Sequence, residues 1–451
     1  MNRAADAMAR MTATDPVSAA GEPQICVIGA GPCGLTTIKN LRAAGFRHVT
    51  CFDEGEQIGG NWVFSEQQDR PSVYECTHII SSKKLSQFED FPMPDDFPDF
   101  PSHRQIVAYF EDYATAFGLR PHIRLKTHVE RAVRGDDGRW SMRWSSQDQS
   151  GSDVFDYLFV CSGHHREPYV PEYPGTFSGT MMHSGTYRRA EPLRGQRVLV
   201  VGGGNSACDI AVDISRVART TCISMRHGVY IVPKLLFGQP TDRLVERVRS
   251  YLPKSLLQFA LRTVLRMFVG SWKAYGLPQP TCGPLEMHPT LNSTILEALR
   301  SGTVLARPGI TRFDGEIIEF SDGRKEPFDT VLWATGFHMS FPFLAPEIVG
   351  WPRTQPPPLY LKMMHADIPN LYFIGLFQPL GCIWSMADYQ ARIAAQQIVG
   401  TLERPKDIRR RIANEVLRPH WHFTKSPRHA IEVDARFFRQ ELIHELGRAN
   451  A

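Results

Sequence analysis

Two short glycine-rich turns constrain this chain more than any other feature. The first, Gly29-Ala30-Gly31-Pro32-Cys33-Gly34, follows the apolar run Ile25-Cys26-Val27-Ile28. The second, Gly202-Gly203-Gly204-Asn205-Ser206-Ala207, follows Val198-Leu199-Val200-Val201. Each reads G-x-G-x-x-G/A at the point where a strand gives way to a helix. In a parallel βαβ unit that point lies at the carboxyl edge of the sheet, where the helix N-terminus offers unpaired N–H groups to a phosphate. The glycines allow the tight turn and a close approach of backbone to a pyrophosphate. The expected fold is therefore α/β with two Rossmann-like dinucleotide-binding domains. A chain that cradles two such nucleotides is suited to passing electrons between them.

At 451 residues the chain exceeds the size at which one core keeps growing, so more than one domain is expected. Residues 1–22 are small, polar and alanine-rich and read as a disordered tail. The first domain runs over 23–175, with a helix from Gly34 to Ala44, a second strand from His48 to Asp53, an ordered loop over 70–100, a helix over 102–117 and β-like alternation over 126–160. The second domain covers 176–335 and carries a helical insert at about 235–285. From 336 to 451 the chain returns to the first domain, with a strand over 370–375, a helix near Met386 to Val399 and further C-terminal helices. The second domain is thus inserted into a discontinuous first one.

Composition removes several functions. A net charge of +4, dispersed along the chain, leaves no electrostatic footprint for nucleic acid. The N-terminus lacks the apolar core of a secretory signal, and no apolar run is long enough to span a bilayer. Nine cysteines show no framework spacing, several lie in apolar strands, and a reducing cytoplasm is the natural reading. The segment Ser255 to Val269 reads as an apolar helix with Arg262 and Arg266 on one face. It either packs over the nucleotide domains or rests peripherally on a lipid surface.

The two turns differ in the residues at the end of the next strand. Asp53 closes the second strand nineteen residues beyond Gly34, where a carboxylate accepts hydrogen bonds from ribose hydroxyls. No acid stands at the matching place of the second unit, which has Ser224-Met225-Arg226-His227-Gly228. An arginine there pairs with a 2′-phosphate, so the second nucleotide is expected to be NADPH.

Between the turns lies Phe177-Ser178-Gly179-Thr180-Met181-Met182-His183-Ser184-Gly185-Thr186-Tyr187-Arg188. This F-x-G-x-x-x-H-x-x-x-Y-R pattern resembles the identifying sequence of flavin-containing monooxygenases. The related Baeyer–Villiger enzymes carry tryptophan where this chain has Tyr187. Ile58-Gly59-Gly60-Asn61-Trp62, Phe88 to Pro94, His288-Pro289-Thr290-Leu291-Asn292 and Ala334-Thr335-Gly336-Phe337 agree with the same family, in the same order, over about 23–440.

The resemblance implies FAD in the first domain, contacted by Gly29, Ala30, Gly31, Pro32, Cys33, Gly34, Asp53, Gly60, Asn61, Trp62 and Gln378. Cys33 reads as a small residue beside phosphate rather than a redox thiol. A helix N-terminus near Met386, aimed at the flavin, would steady negative charge on the reduced ring. The resemblance implies NADPH in the second domain, contacted by Gly202, Gly204, Asn205, Ser206, Ala207, Asp209, Arg226 and His183. By the same resemblance, hydride is expected to pass from NADPH to the flavin, O2 to add at its C4a carbon as a hydroperoxide, and a nucleophilic nitrogen or sulfur of a small or medium-sized substrate to take the distal oxygen. Such chemistry leans on the cofactor, so the lack of a catalytic dyad or metal cluster is no objection.

The chain departs from the family at one place. Aligned on Ser81-Ser82-Lys83, the asparagine found in many members is Ile80, which can neither donate nor accept a hydrogen bond. Ser81, Ser82 or His78 is then the candidate replacement. Ketone-to-ester Baeyer–Villiger oxidation stays open for the same reason, as does a non-catalytic redox sensor that binds both nucleotides. A flavin disulfide reductase shares the two-nucleotide architecture but needs a C-x-x-C or C-x4-C motif, and this chain has neither. A homodimer is common in families that look like this one.

Overall fold

The computed structural model describes residues 21–68, 70–249, 251–352, 355–417 and 430–448. The chain divides into two compact units: 1–63, 83–164 and 339–451 in the first, 64–82 and 165–338 in the second. Of the expected tail, residues 1–20 lie outside the described residues. Glu22 is not frayed: its carboxylate pairs with Arg47 at 2.6 Å and His48 at 3.4 Å.

The first unit is built on a seven-stranded sheet. Five parallel strands run in the order Leu371–Phe373, Tyr157–Val160, Ile25–Ile28, Val49–Phe52, Ile123–Arg124, and two antiparallel strands extend the first edge. Ile25–Ile28 is buried throughout, as a parallel strand covered on both faces requires. The first glycine-turn helix, Pro32–Ala43, starts with proline in its first turn, where a missing N–H costs nothing, and gives way at Gly45, φ +95°. Helix His103–Ala116 begins at a capping box of Ser102 and Gln105. Its aromatic stripe is core: Tyr109, Phe110 and Tyr113 are fully buried, and Phe88 stacks on Tyr113 at 4.4 Å.

Helix Trp384–Val399 packs along Pro32–Ala43. A buried charge network joins them: Asp388 accepts from Lys39 at 2.8 Å, Asn40 at 2.8 Å and the Thr36 hydroxyl, and pairs with Arg392 at 2.5 Å. Lys39 also reaches Asp90 at 2.5 Å. Burial alone would raise the Asp388 carboxyl, yet the Lys39 and Arg392 charges prevail and hold it below its ordinary value.

The second unit has five parallel strands in the order Leu305–Arg307, Thr220–Ser224, Arg197–Val201, Thr330–Trp333, Thr180–His183. Val198 to Val201 are buried between the two faces, each side chain contributing about 1.5–3 kcal/mol. The helix Asn205–Ile214 covers one face with Ala207, Cys208, Ile210, Ala211 and Ile214. On the other, Trp333 of the sheet itself packs with Phe328 and with Phe313 and Phe320 from an antiparallel sheet over 310–327.

Phe64–Ser82 belongs to the second unit, whereas the sequence pattern suggests 23–175 as one piece. Arg188 explains the difference. Its buried guanidinium donates to the carbonyls of Ser65, Gln67 and Arg70, and to those of Gly185 and Tyr187 in its own turn. Five carbonyls around one cation anchor the start of this segment, and Tyr74, buried in the second unit's core, anchors its middle.

Candidate functional site

Each unit carries its glycine turn at the carboxyl end of its sheet. In the first, Gly29 sits at φ +105°, and a Cβ on Gly34 would lie 1.8 Å from the Gly29 carbonyl oxygen. Only glycine permits that approach. Gly31 caps the helix without any side-chain hydrogen bond, so the N–H groups of the first turn remain for an anion. The Gly59-Gly60 turn lies against it: the Gly59 N–H donates to Ala30, and the short turn Gly60–Trp62 comes next.

Asp53 does more than end a strand. One carboxylate oxygen accepts the Ala30 N–H and the other the Gly55 N–H, both at 2.6 Å, which ties the glycine turn to the strand end. Asn61 is exposed and Trp62 half-buried, its ring edge-on to Trp384 at 5.6 Å. The Trp384 indole N–H is buried with no partner among the described residues. Helix Trp384–Val399 begins two residues before the expected Met386, again without a side-chain cap. The Gln378 amide oxygen meets His164 Nε2 at 3.3 Å. Cys33 lies where a Cβ on Gly375 would come within 2.4 Å of its sulfur, and burial pushes this thiol well above its ordinary range. It is a packed thiol, not a reactive one.

In the second unit Gly202 adopts φ +142°, and a Cβ there would lie 2.3 Å from the Ala334 carbonyl oxygen. Gly204 caps the helix with no side-chain bond and no acid in the first turn. The turn is held from behind by the Thr290-Leu291-Asn292 segment. Thr290 donates its hydroxyl to the Gly203 carbonyl at 2.7 Å, and the Leu291 N–H donates to the Asn205 side chain at 2.8 Å. Arg226, just beyond strand Thr220–Ser224, is exposed, its Nε 3.0 Å from His227 Nε2.

Two expected nucleotide contacts are otherwise engaged. His183 Nδ1 accepts the Gly185 N–H at 3.0 Å while Nε2 donates to the Gly336 carbonyl at 3.0 Å, and burial lowers its pKa. With both ring nitrogens committed, this neutral imidazole ties its turn to the Ala334–Phe337 segment. Asp209 accepts from the Tyr74 hydroxyl at 2.9 Å and the Asn292 amide at 2.6 Å. Burial raises its carboxyl despite Lys234 and those hydrogen bonds, and burial pulls Lys234 down against the pull of Asp209. Ser206 adds a hydrogen bond to Tyr74, and Ala207 is buried beneath the turn.

The loop at Ile80 also lies in this unit. Ile80 is half-buried; His78 is exposed, its ring 2.9 Å from the Cys76 carbonyl. Ser81 and Ser82 are buried, the Ser82 N–H donates to Asp242 at 2.6 Å, and the Ser82 hydroxyl finds no partner among the described residues. Sequence pattern alone does not reveal Asp388 as an organising residue, while Arg188 and Asn292 lie inside quoted motifs whose structural use only the fold shows.

Two Rossmann-type units, each with a glycine turn that a side chain would fill and a helix N-terminus left uncapped, define an oxidoreductase of the two-dinucleotide class. The family model described as flavin-binding monooxygenase-like matches residues 22–448. Flavin-containing monooxygenase 5 of Oryctolagus cuniculus is 34% identical over 431 residues, covering 91% of this chain and 80% of that protein. Flavin-containing monooxygenase 2 of Homo sapiens is 34% identical over 401 residues, covering 85% and 75%. The chain belongs to the flavin-binding monooxygenase family and is an FAD- and NADPH-dependent monooxygenase.

Solved structures share the fold. S-allyl-L-cysteine S-oxygenase from Allium sativum matches with a TM-score of 0.70 at 22% identity, over 94% of this chain and 88% of that one. Cyclohexanone monooxygenase in its open form matches with a TM-score of 0.70 at 17% identity, over 94% and 98%.

Proposed function

We propose that the first unit holds FAD, the second holds NADPH, and the enzyme oxygenates a nucleophilic nitrogen or sulfur of a small or medium-sized substrate. Bound in these cradles, FAD supplies the oxygen-activating ring and NADPH the hydride. The observation that carries the assignment is the opposite charge beside the two turns: Asp53 at the first, Arg226 at the second.

The chain's own part is to bind, orient and exclude water. The N–H groups after Gly31 and Gly204 face the diphosphates, and Asp53 takes a ribose hydroxyl in addition to its two backbone donors. Arg226 pairs with the 2′-phosphate, which a carboxylate would repel. Trp62 and Trp384, which meet edge-on, would line the flavin site, and the uncapped N-terminus of helix Trp384–Val399 would favour negative charge on a ring held there. His183 and Asp209 act behind the NADPH turn through their neighbours. Ile80 presents hydrocarbon where many relatives have an amide. The nine cysteines carry no disulfide among the described residues, which suits a cytoplasmic enzyme.

A relative named for N-oxide formation favours a soft nucleophile as substrate. Baeyer–Villiger oxidation is the second reading, favoured by Ile80 alone. A competition decides between them: purified enzyme with NADPH, O2 and equal amounts of a tertiary amine, a thioether and a cyclic ketone. N-oxide or sulfoxide is the expected product. Lactone as the sole product would overturn the first reading in favour of the second.

A further inference from the structure

The segment Phe64–Ser82 meets the second nucleotide turn at the hydroxyl of Tyr74. Upstream, Arg188 grips the carbonyls of Ser65, Gln67 and Arg70, and the Ser72 and Glu75 N–H groups donate to the Gly185 and Arg188 carbonyls at 3.3 Å and 2.9 Å. The chain then turns tightly. The Tyr74 N–H donates to the Thr77 hydroxyl oxygen at 3.1 Å, and the Thr77 N–H donates back to the Tyr74 carbonyl at 3.0 Å. The Tyr74 ring is buried in the core of the second unit, edge-on to Tyr187 at 5.9 Å.

Its hydroxyl donates to one Asp209 oxygen at 2.9 Å and is met by the Ser206 hydroxyl. Ser206 is the second residue of helix Asn205–Ile214 and Asp209 the fifth, so both lie close behind the N–H groups left for a diphosphate. The other Asp209 oxygen accepts the Asn292 amide at 2.6 Å. Asn292 belongs to the segment whose Thr290 and Leu291 brace the turn, and its own amide oxygen accepts the Thr294 and Ile295 N–H groups at 2.9 Å and 2.8 Å. Asp209 is thus a junction. One oxygen holds the brace of the turn, and the other holds Tyr74.

Beyond Tyr74 the chain runs through His78, the buried Ile79 and the half-buried Ile80 to Ser82, whose N–H donates to Asp242 at 2.6 Å. A carboxylate therefore pins each end of this stretch, Asp209 at the start and Asp242 at the finish. The stretch carries His78, Ser81 and Ser82, the candidates for the amide that Ile80 lacks, so its placement bears on oxygen transfer. A tyrosine hydroxyl on a carboxylate is a charge-assisted bond, worth about tenfold in an opening equilibrium.

We propose that Tyr74 and Asp209 are positioning residues that couple the filling of the nucleotide turn to the order of the loop over 74–82. With a dinucleotide held at the helix N-terminus, Asn205 and Ser206 are fixed. Ser206 and Asp209 then fix the Tyr74 hydroxyl, and Tyr74 fixes the start of the loop. The proposal rests on NADPH occupying this unit. With both ends pinned, the open loop is a minor state with or without nucleotide. The coupling therefore shows in how often the loop opens and not in the affinity for NADPH.

Hydrogen exchange read by mass spectrometry on the purified, flavin-loaded full chain tests this, with and without NADP+. In wild type, NADP+ is expected to slow exchange over 202–209 and, with it, over 74–82. Tyr74→Phe removes one charge-assisted bond, so exchange over 74–82 should run about tenfold faster and no longer respond to NADP+, while 202–209 keeps its protection. KM for NADPH should stay within about twofold, and the share of NADPH lost to peroxide should rise by roughly twofold to tenfold. In Asp209→Asn one side of the new amide must meet a donor, so the loop should loosen as well. Adding Asn292→Asp gives the amide N–H an acceptor, leaves its oxygen for Tyr74 and should restore slow exchange. Loop peptides that ignore NADP+ in wild type would overturn the proposal, as would loop peptides that respond equally in Tyr74→Phe. Uniformly faster exchange along the whole chain in Tyr74→Phe would mark a merely structural role and overturn it too. If 202–209 itself ignored NADP+, the nucleotide assignment of this unit would fall, and the proposal with it.

Discussion

At the first glycine turn the neighbouring strand ends in Asp53, whose carboxylate grips the backbone of both Ala30 and Gly55. At the second, the matching strand runs on to Arg226, and the turn is steadied by Thr290 and Leu291 instead. The backbone solution is shared, since Gly34 and Gly202 each face a carbonyl that leaves no room for a Cβ. The means of support is not. A carboxylate can brace a turn from the ribose side only where no 2′-phosphate arrives, so a turn proposed to hold NADPH would have to be braced from behind. The two cradles thus solve one backbone problem under opposite charge constraints.

The largest expected effects break one cradle at a time. Gly34→Ala puts a methyl 1.8 Å from a backbone oxygen, and the purified protein should lose nearly all its FAD, read from the flavin-to-protein absorbance ratio. Gly202→Ala should keep its flavin yet lose reduction by NADPH. If both variants lost the same nucleotide, the assignment of the two units would fail.

Next in size is Lys39→Met, which removes one partner from the buried Asp388 network. With Arg392, Asn40 and Thr36 remaining, a destabilisation of about 3 kcal/mol is expected in thermal unfolding. The pH dependence has a definite sign. Asp388 is held below its unfolded value, so its contribution is present above the ordinary carboxylate range and is lost as pH falls through the lowered folded value. Lys39→Met should therefore shift acid unfolding to higher pH; an unshifted acid limb would show that Lys39 does not govern that carboxyl.

Arg226→Gln should raise KM for NADPH about tenfold to a hundredfold while leaving KM for NADH unchanged, as expected for one lost charge-assisted contact. Equal effects on both nucleotides would place Arg226 away from the 2′-phosphate. Smallest of all, Ile80→Asn restores an amide to the loop. The share of NADPH lost to peroxide should fall by roughly twofold to tenfold, the worth of one hydrogen bond. A rise would mean that the hydrocarbon at Ile80 itself protects the site.

Much of the fold and of both cradles is legible in the sequence because local rules govern them. Strand, glycine and helix recur within about thirty residues in each unit, and Asp53 and Arg226 lie at positions counted directly from the turns. The illegible parts depend on distant partners. Lys39 and Asp388 are 349 residues apart in the chain. Phe64–Ser82 joins the second unit through carbonyls around Arg188, and carbonyls leave no trace in residue type. The motif around His183 is plain in the sequence, but its use is not, because both ring nitrogens bond to backbone groups that only the fold brings near.

Whether an acid-braced flavin turn and an arginine-marked NADPH turn share one chain is read directly from an anaerobic titration of the purified protein. The expected result is a yellow protein bleached by about one equivalent of NADPH and far more slowly by NADH, a preference of charge-assisted pairing with the 2′-phosphate. A colourless protein, or equal bleaching by NADH, would contradict it.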